Sequence, residues 1–285
     1  MNVDSLIKSA LHEDIGKGDI TSAAIIPPPQ KTNAVIAAKQ EMVLAGINIA
    51  AKAFKMADKR ITIKIKKKDG DRIKNKEIIA ELSGPARSIL AAERTALNFL
   101  QHLSGIATLT DKYAKAVRGT GAKILDTRKT IPGWRCLEKY AVRMGDGKNH
   151  RYGLYDMFLI KNNHADAAGS VTEAIYRVQN NKTKIGNLKK LLIECEVRNI
   201  SELEEAIVAG ADIIMLDNFT PKMTIKAVKL AKKLSKIVKK QPKLEVSGGI
   251  SLKNIKKYAK TGVDYISVGA ITHSAPTVDI HLILR

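Results

Sequence analysis

The first third of the chain contains short runs in which apolar and polar residues alternate, separated by turn-forming residues. Alternation with a period of two is typical of a half-buried β-strand. We therefore predict strands at 32–39, 42–45, 61–65 and 77–82. Apolar residues recur at helical spacing near the N-terminus and over residues 47–57, which predicts two helices. Together these elements predict a small, sandwich-like α+β domain over residues 1–104.

Pro85 opens a longer stretch in which apolar residues from Ile89 to Leu103 recur at helical spacing. Ser104-Gly105 interrupts this stretch, and Gly/Ser pairs often kink or divide helices. We therefore predict two helices here, the second ending near Arg118, and we place the end of the first domain at this break.

Short apolar runs alternate with amphipathic stretches through the rest of the chain. We predict strands at 123–127, 157–161, 190–196, 212–217, 243–247 and 264–268. We predict helices near 135–144, 165–180, 201–209, 221–240 and 251–261. This alternation favours a parallel sheet with helices outside it. The predicted fold class is α/β, with an incomplete six-stranded parallel β/α barrel over 105–272 and a segment, 273–285, that returns to the first domain. An open doubly wound sheet is the alternative.

The chain is strongly basic, with a net charge of +21 over 285 residues, so it will attract polyanions. Aromatic residues make up only 4% of the sequence, and no helix-turn-helix or RNA-binding motif is present. We therefore expect no specific nucleic-acid partner and only weak, sequence-independent association. Cys136 and Cys195 lack the spacing of a disulfide frame or a zinc site, which indicates a reducing compartment. No leader or long apolar run is present, so we expect a cytoplasmic protein without a membrane partner.

Polar residues and two turns that contain glycine lie at or near the ends of the predicted strands of the second domain. The residues are Thr127, Arg128, Lys129, Lys161, Glu194, Glu196, Asp217, Ser247, Gly248, Gly249, Val268, Gly269 and Ala270. In parallel α/β folds the carboxyl ends of the strands form the active-site face, so these residues should meet at one mouth. The last two strand-to-helix turns are rich in glycine, and in barrels such turns commonly bind phosphate. We predict a phosphate site there.

Arginine and histidine are concentrated between residues 128 and 161, whereas lysine dominates elsewhere. The cations of this stretch are Arg128, Lys129, Arg135, Arg143, Lys148, His150, Arg151 and Lys161. Pro-Gly and Gly-Asp-Gly breaks prevent them from lying on one solvated helix face, and arginine suits carboxylate or phosphate recognition, so we predict an anion pocket. Glu194 and Asp217 offer oxygen ligands for Mg²⁺, or else they partner the cations of the pocket. The residues alone therefore predict a Mg²⁺-assisted enzyme for one phosphorylated and one carboxylate-bearing substrate.

Several longer motifs resemble those of the quinolinate phosphoribosyltransferase family. They are Glu-Asp-Ile-Gly-x-Gly-Asp-Ile-Thr-Ser (13–22), Glu-Arg-Thr-Ala-Leu-Asn-Phe-Leu (93–100), Ser-Gly-Ile-Ala-Thr (104–108), Asp-Thr-Arg-Lys-Thr-x-Pro-Gly (126–133), Glu-Lys-Tyr-Ala-Val-Arg (138–143), Asn-His-Arg-Tyr-Gly-Leu (149–154) and Lys-Asn-Asn-His (161–164). Glu-Cys-Glu-Val, Met-Leu-Asp-Asn-Phe and Glu-Val-Ser-Gly-Gly-Ile continue the likeness from residue 194 to residue 250. The resemblance covers nearly the whole chain.

The resemblance implies a Mg²⁺-dependent enzyme of de novo NAD synthesis. Such an enzyme converts quinolinate and phosphoribosyl pyrophosphate into nicotinate mononucleotide, pyrophosphate and carbon dioxide. The resemblance assigns the neutralisation of these anionic substrates to Arg128, Lys129, His150, Arg151 and Lys161. Together with the strand-end residues, this predicts Lys129, Lys161, Glu194 and Asp217 as catalytic residues, with Glu194 and Asp217 as metal ligands. The predicted substrate-binding residues are Arg94, Thr127, Arg128, Lys129, His150, Arg151, Lys161, Glu194, Asp217, Ser247, Gly248, Gly249, Val268, Gly269 and Ala270.

The resemblance also implies that Arg94 enters the site of a partner subunit, which makes a homodimer the smallest active unit, with a higher oligomer as a further option. One feature departs from the family, which usually has a glycine-rich run after Ala-Val-Arg. This chain has Met144-Gly-Asp-Gly-Lys148 there, so Asp146 adds a negative charge. The alternatives are a nicotinate-preferring enzyme or a related protein associated with molybdenum transport.

Overall fold

The computed structural model describes residues 2–182, 188 and 190–285. Up to the long fourth helix its elements are α1 (Val3–Ile15), α2 (Ile20–Ile25), β1 (Lys31–Ala38), β2 (Met42–Val43), α3 (Ile47–Ala57), β3 (Thr62–Ile65), β4 (Arg72–Ile73), β5 (Ile78–Pro85) and α4 (Ala86–Val117). Then follow β6 (Lys123–Leu125), α5 (Arg135–Met144), β7 (Phe158–Ile160), α6 (Asn162–Ala168), α7 (Val171–Lys182), β8 (Ile193–Val197) and α8 (Ile200–Val208). The remaining elements are β9 (Ile213–Asp217), α9 (Pro221–Val238), β10 (Lys243–Ser247), α10 (Ile255–Ala259), β11 (Tyr265–Ser267), α11 (Ala270–His273) and β12 (Ile280–Leu284).

The chain divides into two compact units. The first contains residues 1–111, 130–146 and 271–285, and the second contains 112–129 and 147–270. The predicted boundary at residue 104 falls inside α4. The segment 130–146, which the sequence assigns to the barrel, belongs with the first unit. Each unit is thus assembled from separate stretches of the chain.

The first unit is built on a four-stranded antiparallel sheet with the order β12-β1-β5-β3. The C-terminal strand β12 pairs with β1, from Ala34 opposite Leu284 to Ala38 opposite Ile280. The last five residues of β1 are all buried, so this strand lies in the interior and not on a half-exposed face. Its run of small and branched apolar side chains, Ala34 to Ala38, explains the burial.

The long helix α4 is continuous, so the predicted division at Ser104-Gly105 is wrong. Ser104 accepts a hydrogen bond from the amide of Ala45 and donates one to its carbonyl oxygen. A Cβ atom at residue 105 would overlap the carbonyl oxygen of Pro276. The glycine therefore permits close packing of another segment against an unbroken helix. The sequence alone cannot distinguish a glycine that breaks a helix from one that permits close packing.

Because this contact is with a backbone atom, we expect Gly105→Ala to lower the free energy of unfolding by about 1–3 kcal/mol. Chemical denaturation of the purified variant measures the effect. Asn98→Ala, at an exposed position of the same helix, is the control and should change stability little. Equal stability of Gly105→Ala and wild type would show that the contact at Pro276 is not tight.

The second unit contains a six-stranded parallel sheet with the order β6-β11-β10-β9-β8-β7. From β7 to β11 every strand lies beside its successor in the chain, and β6, the first strand, lies beside β11, the last. A doubly wound sheet would reverse its order near the middle, whereas this is the cyclic order of a barrel with one pairing missing, between β6 and β7. The prediction of an incomplete six-stranded barrel is confirmed.

Side chains on the two faces of this sheet differ sharply. One face is apolar and buried, with residues such as Cys195, Leu216, Val246 and Ile266. The opposite face is largely polar. By the pairing registers, it carries Glu194, Glu196, Met215, Asp217, Glu245, Ser247 and Ser267. Because successive side chains of a strand point to opposite faces, helices cover the apolar face and the polar residues line the inside.

The predicted helices differ from the observed ones in two places. The helix predicted at 165–180 consists of α6 and α7, which Gly169 separates in a left-handed conformation with φ 101°. The helix predicted at 251–261 begins only at Ile255, because Ser251 to Asn254 form a turn in which Asn254 Oδ1 accepts the amide of Ser251. Among the described helices, none combines the length and the apolar character that a membrane span requires.

Candidate active site

A single β-bridge joins the end of β6, which leads into Arg128 and Lys129, to the segment that begins at Lys148. The amide of Lys148 donates to the carbonyl oxygen of Ile124 at 2.8 Å, and the amide of Asp126 donates to that of Lys148 at 3.2 Å. Buried Asp126 then accepts Asn149 Nδ2 at 2.6 Å and the amide of His150 at 2.9 Å. These bonds hold the segment from Lys148 to His150 at the carboxyl end of β6.

His150 is held in a defined orientation by its own neighbours. Its Nδ1 atom accepts the amide of Arg151 at 2.8 Å, so Nε2 bears the hydrogen of the neutral ring. Nε2 lies 3.0 Å from Glu194 Oε2 and 3.7 Å from Glu245 Oε2. Both carboxylates are fully buried. His150 therefore faces two acids inside the sheet.

Glu245 is a site residue that the sequence reasoning missed, although it lies in one of the quoted motifs. Ser267 Oγ donates to Glu245 Oε1 at 2.5 Å. Burial raises the pKa of Glu245, and the neighbouring Glu194 raises it further, to about 8. The available signal was an acid in the middle of an apolar strand, two residues before Ser247 and thus on the same face.

Arg151 and Arg128 form the cationic side of the site. Arg151 is 8% exposed, and its Nη1 donates to the carbonyl oxygen of Met157 at 3.3 Å. In the described part of the chain its buried Nε has no hydrogen-bond partner. Burial lowers the pKa of Arg151, and the positive charge of Arg128 lowers it further. A bound anion would stabilise a buried arginine that has a second cation nearby.

Other predicted residues line the mouth at β7, β8 and β9. Lys161 follows β7 and is exposed, with its amide bonded to His164 Nδ1 at 3.0 Å. The amide of Asn162 donates to Glu196 Oε2, and Asn162 Nδ2 donates to Asp217 Oδ2, both at 3.4 Å. Burial raises the pKa of Glu196, and the charge of Asp217 raises it further. The sequence placed Glu196 at this strand end without giving it a role in the site, and it did not single out Asn162.

The two predicted metal ligands, Glu194 and Asp217, are at different depths. Glu194 is in register with Ile213, four residues before Asp217, which corresponds to about 13 Å along the strand. Glu196 is in register with Met215, so it is the carboxylate near Asp217. Among the described residues, the group that could hold a metal inside the sheet is Glu194 with His150 and Glu245. Glu196 is therefore nearer to Asp217 along the sheet than Glu194 is, and the metal ligands expected from the sequence stay a prediction.

The two glycine-rich turns lie after β10 and β11, as predicted. Ser247 is in register with Asp217, and Gly248 and Gly249 follow with φ of 97° and 61°. A side chain at 248 would overlap Asn218 Oδ1, so glycine is required there both for φ and for space. In the other turn, the amide of Val268 donates to the carbonyl oxygen of Leu125 at 3.0 Å, and Gly269 and Ala270 lead into α11.

The remaining predicted residues are placed as follows. Thr127 Oγ1 accepts the amide of Lys129 at 3.1 Å, and the Lys129 side chain is exposed. Arg94 is exposed on α4, in the first unit. Asp146 is also exposed and has φ 66°, a left-handed conformation that aspartate adopts more readily than most residues.

Comparisons with known proteins agree with the motifs. Residues 19–104 match the family described as "Quinolinate phosphoribosyl transferase, N-terminal domain", and residues 106–283 match the corresponding C-terminal domain. The chain belongs to the quinolinate phosphoribosyltransferase family. A probable carboxylating nicotinate-nucleotide pyrophosphorylase of Bacillus subtilis is 42% identical over 282 residues, which are 99% of this chain and 93% of that protein.

Two further members of the quinolinate phosphoribosyltransferase family give the same result. The carboxylating nicotinate-nucleotide pyrophosphorylase of Mycobacterium leprae is 41% identical over 97% of this chain and 95% of its own length. The solved structure of the nicotinate-nucleotide pyrophosphorylase from Francisella tularensis superposes with a TM-score of 0.92 and 43% identity, covering 99% of this chain and 96% of that one. The predicted family is confirmed in sequence and in fold.

Proposed function

We propose that the protein transfers the phosphoribosyl group of phosphoribosyl pyrophosphate to quinolinate with loss of carbon dioxide, giving nicotinate mononucleotide and pyrophosphate for NAD synthesis. The single observation that supports this most strongly is buried Arg151 at the barrel mouth, because burial lowers its pKa, the positive charge of Arg128 lowers it further, and a bound anion would offset both effects. Quinolinate, with two adjacent carboxylates, is a small dianion that compensates both charges. Membership of the family supports the same reaction.

The residues of the mouth suit the two chemical steps. Attack of the quinolinate nitrogen on the ribose carbon passes through an oxocarbenium-like state, which the carboxylates of Glu196 and Asp217 can stabilise electrostatically. Lys161 and the glycine-rich turn at 247–249 offer a cation and backbone amides to the phosphate groups. After transfer, the positive ring nitrogen stabilises the carbanion left by decarboxylation, so this step needs no further acid or base from the chain.

Mg²⁺ is expected to accompany the pyrophosphate group, and the donor set at the mouth suits it. Glu196 and Asp217 offer hard carboxylate oxygens, and burial and the charge of Asp217 raise the pKa of Glu196, an effect that a divalent cation would oppose. The metal would neutralise charge on the leaving pyrophosphate.

We expect Asp217→Asn to raise the Mg²⁺ concentration for half-maximal activity, whereas Asp166→Asn, at the exposed pair with Arg198, should leave it unchanged. Equal Mg²⁺ requirements in both variants would remove Asp217 as a ligand.

An activity assay tests the proposed reaction. Purified protein with phosphoribosyl pyrophosphate and Mg²⁺ should release carbon dioxide and pyrophosphate from quinolinate. Nicotinate lacks the second carboxylate, so it should not be consumed. Turnover of nicotinate at a comparable rate would support the nicotinate-preferring alternative, and no turnover of either acid would favour a protein that has kept the fold but not the reaction.

We further propose a homodimer in which exposed Arg94 completes the site of the partner. Arg94→Ala and Lys129→Ala should each be nearly inactive alone. Mixed after subunit exchange, they should regain about a quarter of wild-type activity, because half of the dimers are hybrids with one intact site. Mass spectrometry of differently tagged chains verifies the exchange. Proven exchange without recovered activity would contradict a shared site.

A further inference from the structure

Helix α9 has a stripe of lysines along its whole solvent side. Lys222, Lys226, Lys229, Lys233 and Lys236 follow one another at intervals of four and three residues, and all are exposed. In an α-helix this spacing places them on one face over a length of about 21 Å. We call these five residues the lysine face. The opposite side of α9 is buried through Thr224, Ala227, Val228, Ala231 and Ser235.

The protein itself does not neutralise this face. Residues 221–260 contain thirteen lysines and a single acid, Glu245, which is buried inside the sheet. Lys240 and Lys243 pair with Asp212 and Asp264, but in the described part of the chain no acid pairs with a member of the lysine face. Helix α10 packs against α9 and adds further exposed lysines. Like charges at these spacings destabilise a helix, so an anionic partner would relieve an existing repulsion.

We propose that the lysine face binds the phosphate backbone of double-stranded nucleic acid. The charges form a straight line on a rigid element, which matches a linear polyanion better than a compact one. Lysine is a point charge without the fork of arginine, so a row of lysines suits phosphate contacts better than two-pronged contacts to base edges. The binding should therefore be independent of base sequence.

Two other polyanions fit less well. A single strand is held largely by stacking on aromatic side chains, and α9 contains none. An anionic membrane takes up basic helices through their apolar side, but that side of α9 is buried against the unit. Beside the lysine face only Ile225 and Ile237 are exposed, which is too little apolar surface for insertion.

The test compares two triple variants with the same change in charge. One is Lys226→Gln, Lys229→Gln and Lys233→Gln on the lysine face. The other is Lys8→Gln, Lys31→Gln and Lys59→Gln, at exposed positions scattered over the first unit. Binding of a fluorescent 20-base-pair duplex is measured by anisotropy from 50 to 200 mM salt. None of these lysines belongs to the proposed active site, so quinolinate turnover should stay at the wild-type level and verify folding.

We expect the lysine-face triple to bind roughly tenfold more weakly or worse, and its slope of log affinity against log salt to become shallower by about one unit per lysine removed. The scattered triple should retain wild-type binding. Equal weakening of both triples would mean that only net charge matters and would overturn the proposal. No duplex binding by wild type at 50 mM salt, or stronger binding to phosphatidylserine vesicles than to the duplex, would overturn it as well.

Discussion

Replacing Arg128 by alanine is expected to lower kcat/KM for quinolinate by about 10²- to 10³-fold. Burial lowers the pKa of Arg151, and the nearby positive charge of Arg128 lowers it further. A substrate with two carboxylates can compensate both positive charges. The variant should therefore lose binding of the substrate carboxylates while its melting temperature stays equal or rises slightly, because a repulsion is removed. Steady-state kinetics and thermal unfolding measure the two effects.

The control for this variant is Arg118→Ala, which is the same substitution at an exposed position near the end of α4. It should alter neither activity nor stability. Arg128→Lys separates charge from shape, because lysine retains the charge without the two-pronged geometry, and we expect it to recover only part of the activity. Near-normal kcat/KM in Arg128→Ala would remove Arg128 from the active site.

Replacing Glu245 by glutamine is expected to change the pH dependence of stability. Burial and Glu194 raise the pKa of this carboxyl from 4.5 to about 8, so the folded protein binds a proton that the unfolded chain has released. Between pH values of about 4.5 and about 8, the folded protein binds more protons than the unfolded chain. The contribution of Glu245 to the free energy of unfolding therefore falls as pH rises through this range. Glutamine keeps the acceptor for Ser267 but does not ionise.

At pH 8.5 we therefore expect Glu245→Gln to be more stable than wild type by a few kcal/mol, and near pH 4.5 the difference should shrink to about zero. Urea denaturation of both proteins at several pH values gives the difference directly. Glu173→Gln, at an exposed carboxylate that pairs with Arg177, is the control and should show at most a small, even offset. A constant difference between Glu245→Gln and wild type at all pH values would show that Glu245 is ionised throughout.

Most elements of the fold were predictable from local pattern. The bounds of α3, α5 and β10 are those predicted, and the other five strands of the parallel sheet begin and end within three residues of the predicted runs. The predictions failed at small residues. Gly105 looks like a break but is a packing contact, and Gly169 looks like part of a helix but ends one. Because glycine has no side chain, the residue type does not indicate which segment of the chain packs against it.

The candidate site was only partly predictable. The strand-end rule placed Lys161, Asp217 and Ser247 at the mouth, where the structure has them. It did not distinguish Glu194 from Glu196, because both lie on the inner face and only the register with β9 shows that Glu196 is the nearer of the two to Asp217. It also missed Glu245, whose partners come from other strands and from the Lys148 bridge.

The sequence by itself determined the types of element, the two faces of the parallel sheet and the concentration of cations near residues 128 to 161. These follow from periods of two and 3.6 residues and from composition, which are local properties. Only the tertiary structure decided that the Lys148 bridge brings His150 to β6, that Glu196 is the neighbour of Asp217, and that Glu245 is a buried acid. Strand register and burial fix these relations, and both depend on residues distant in the chain.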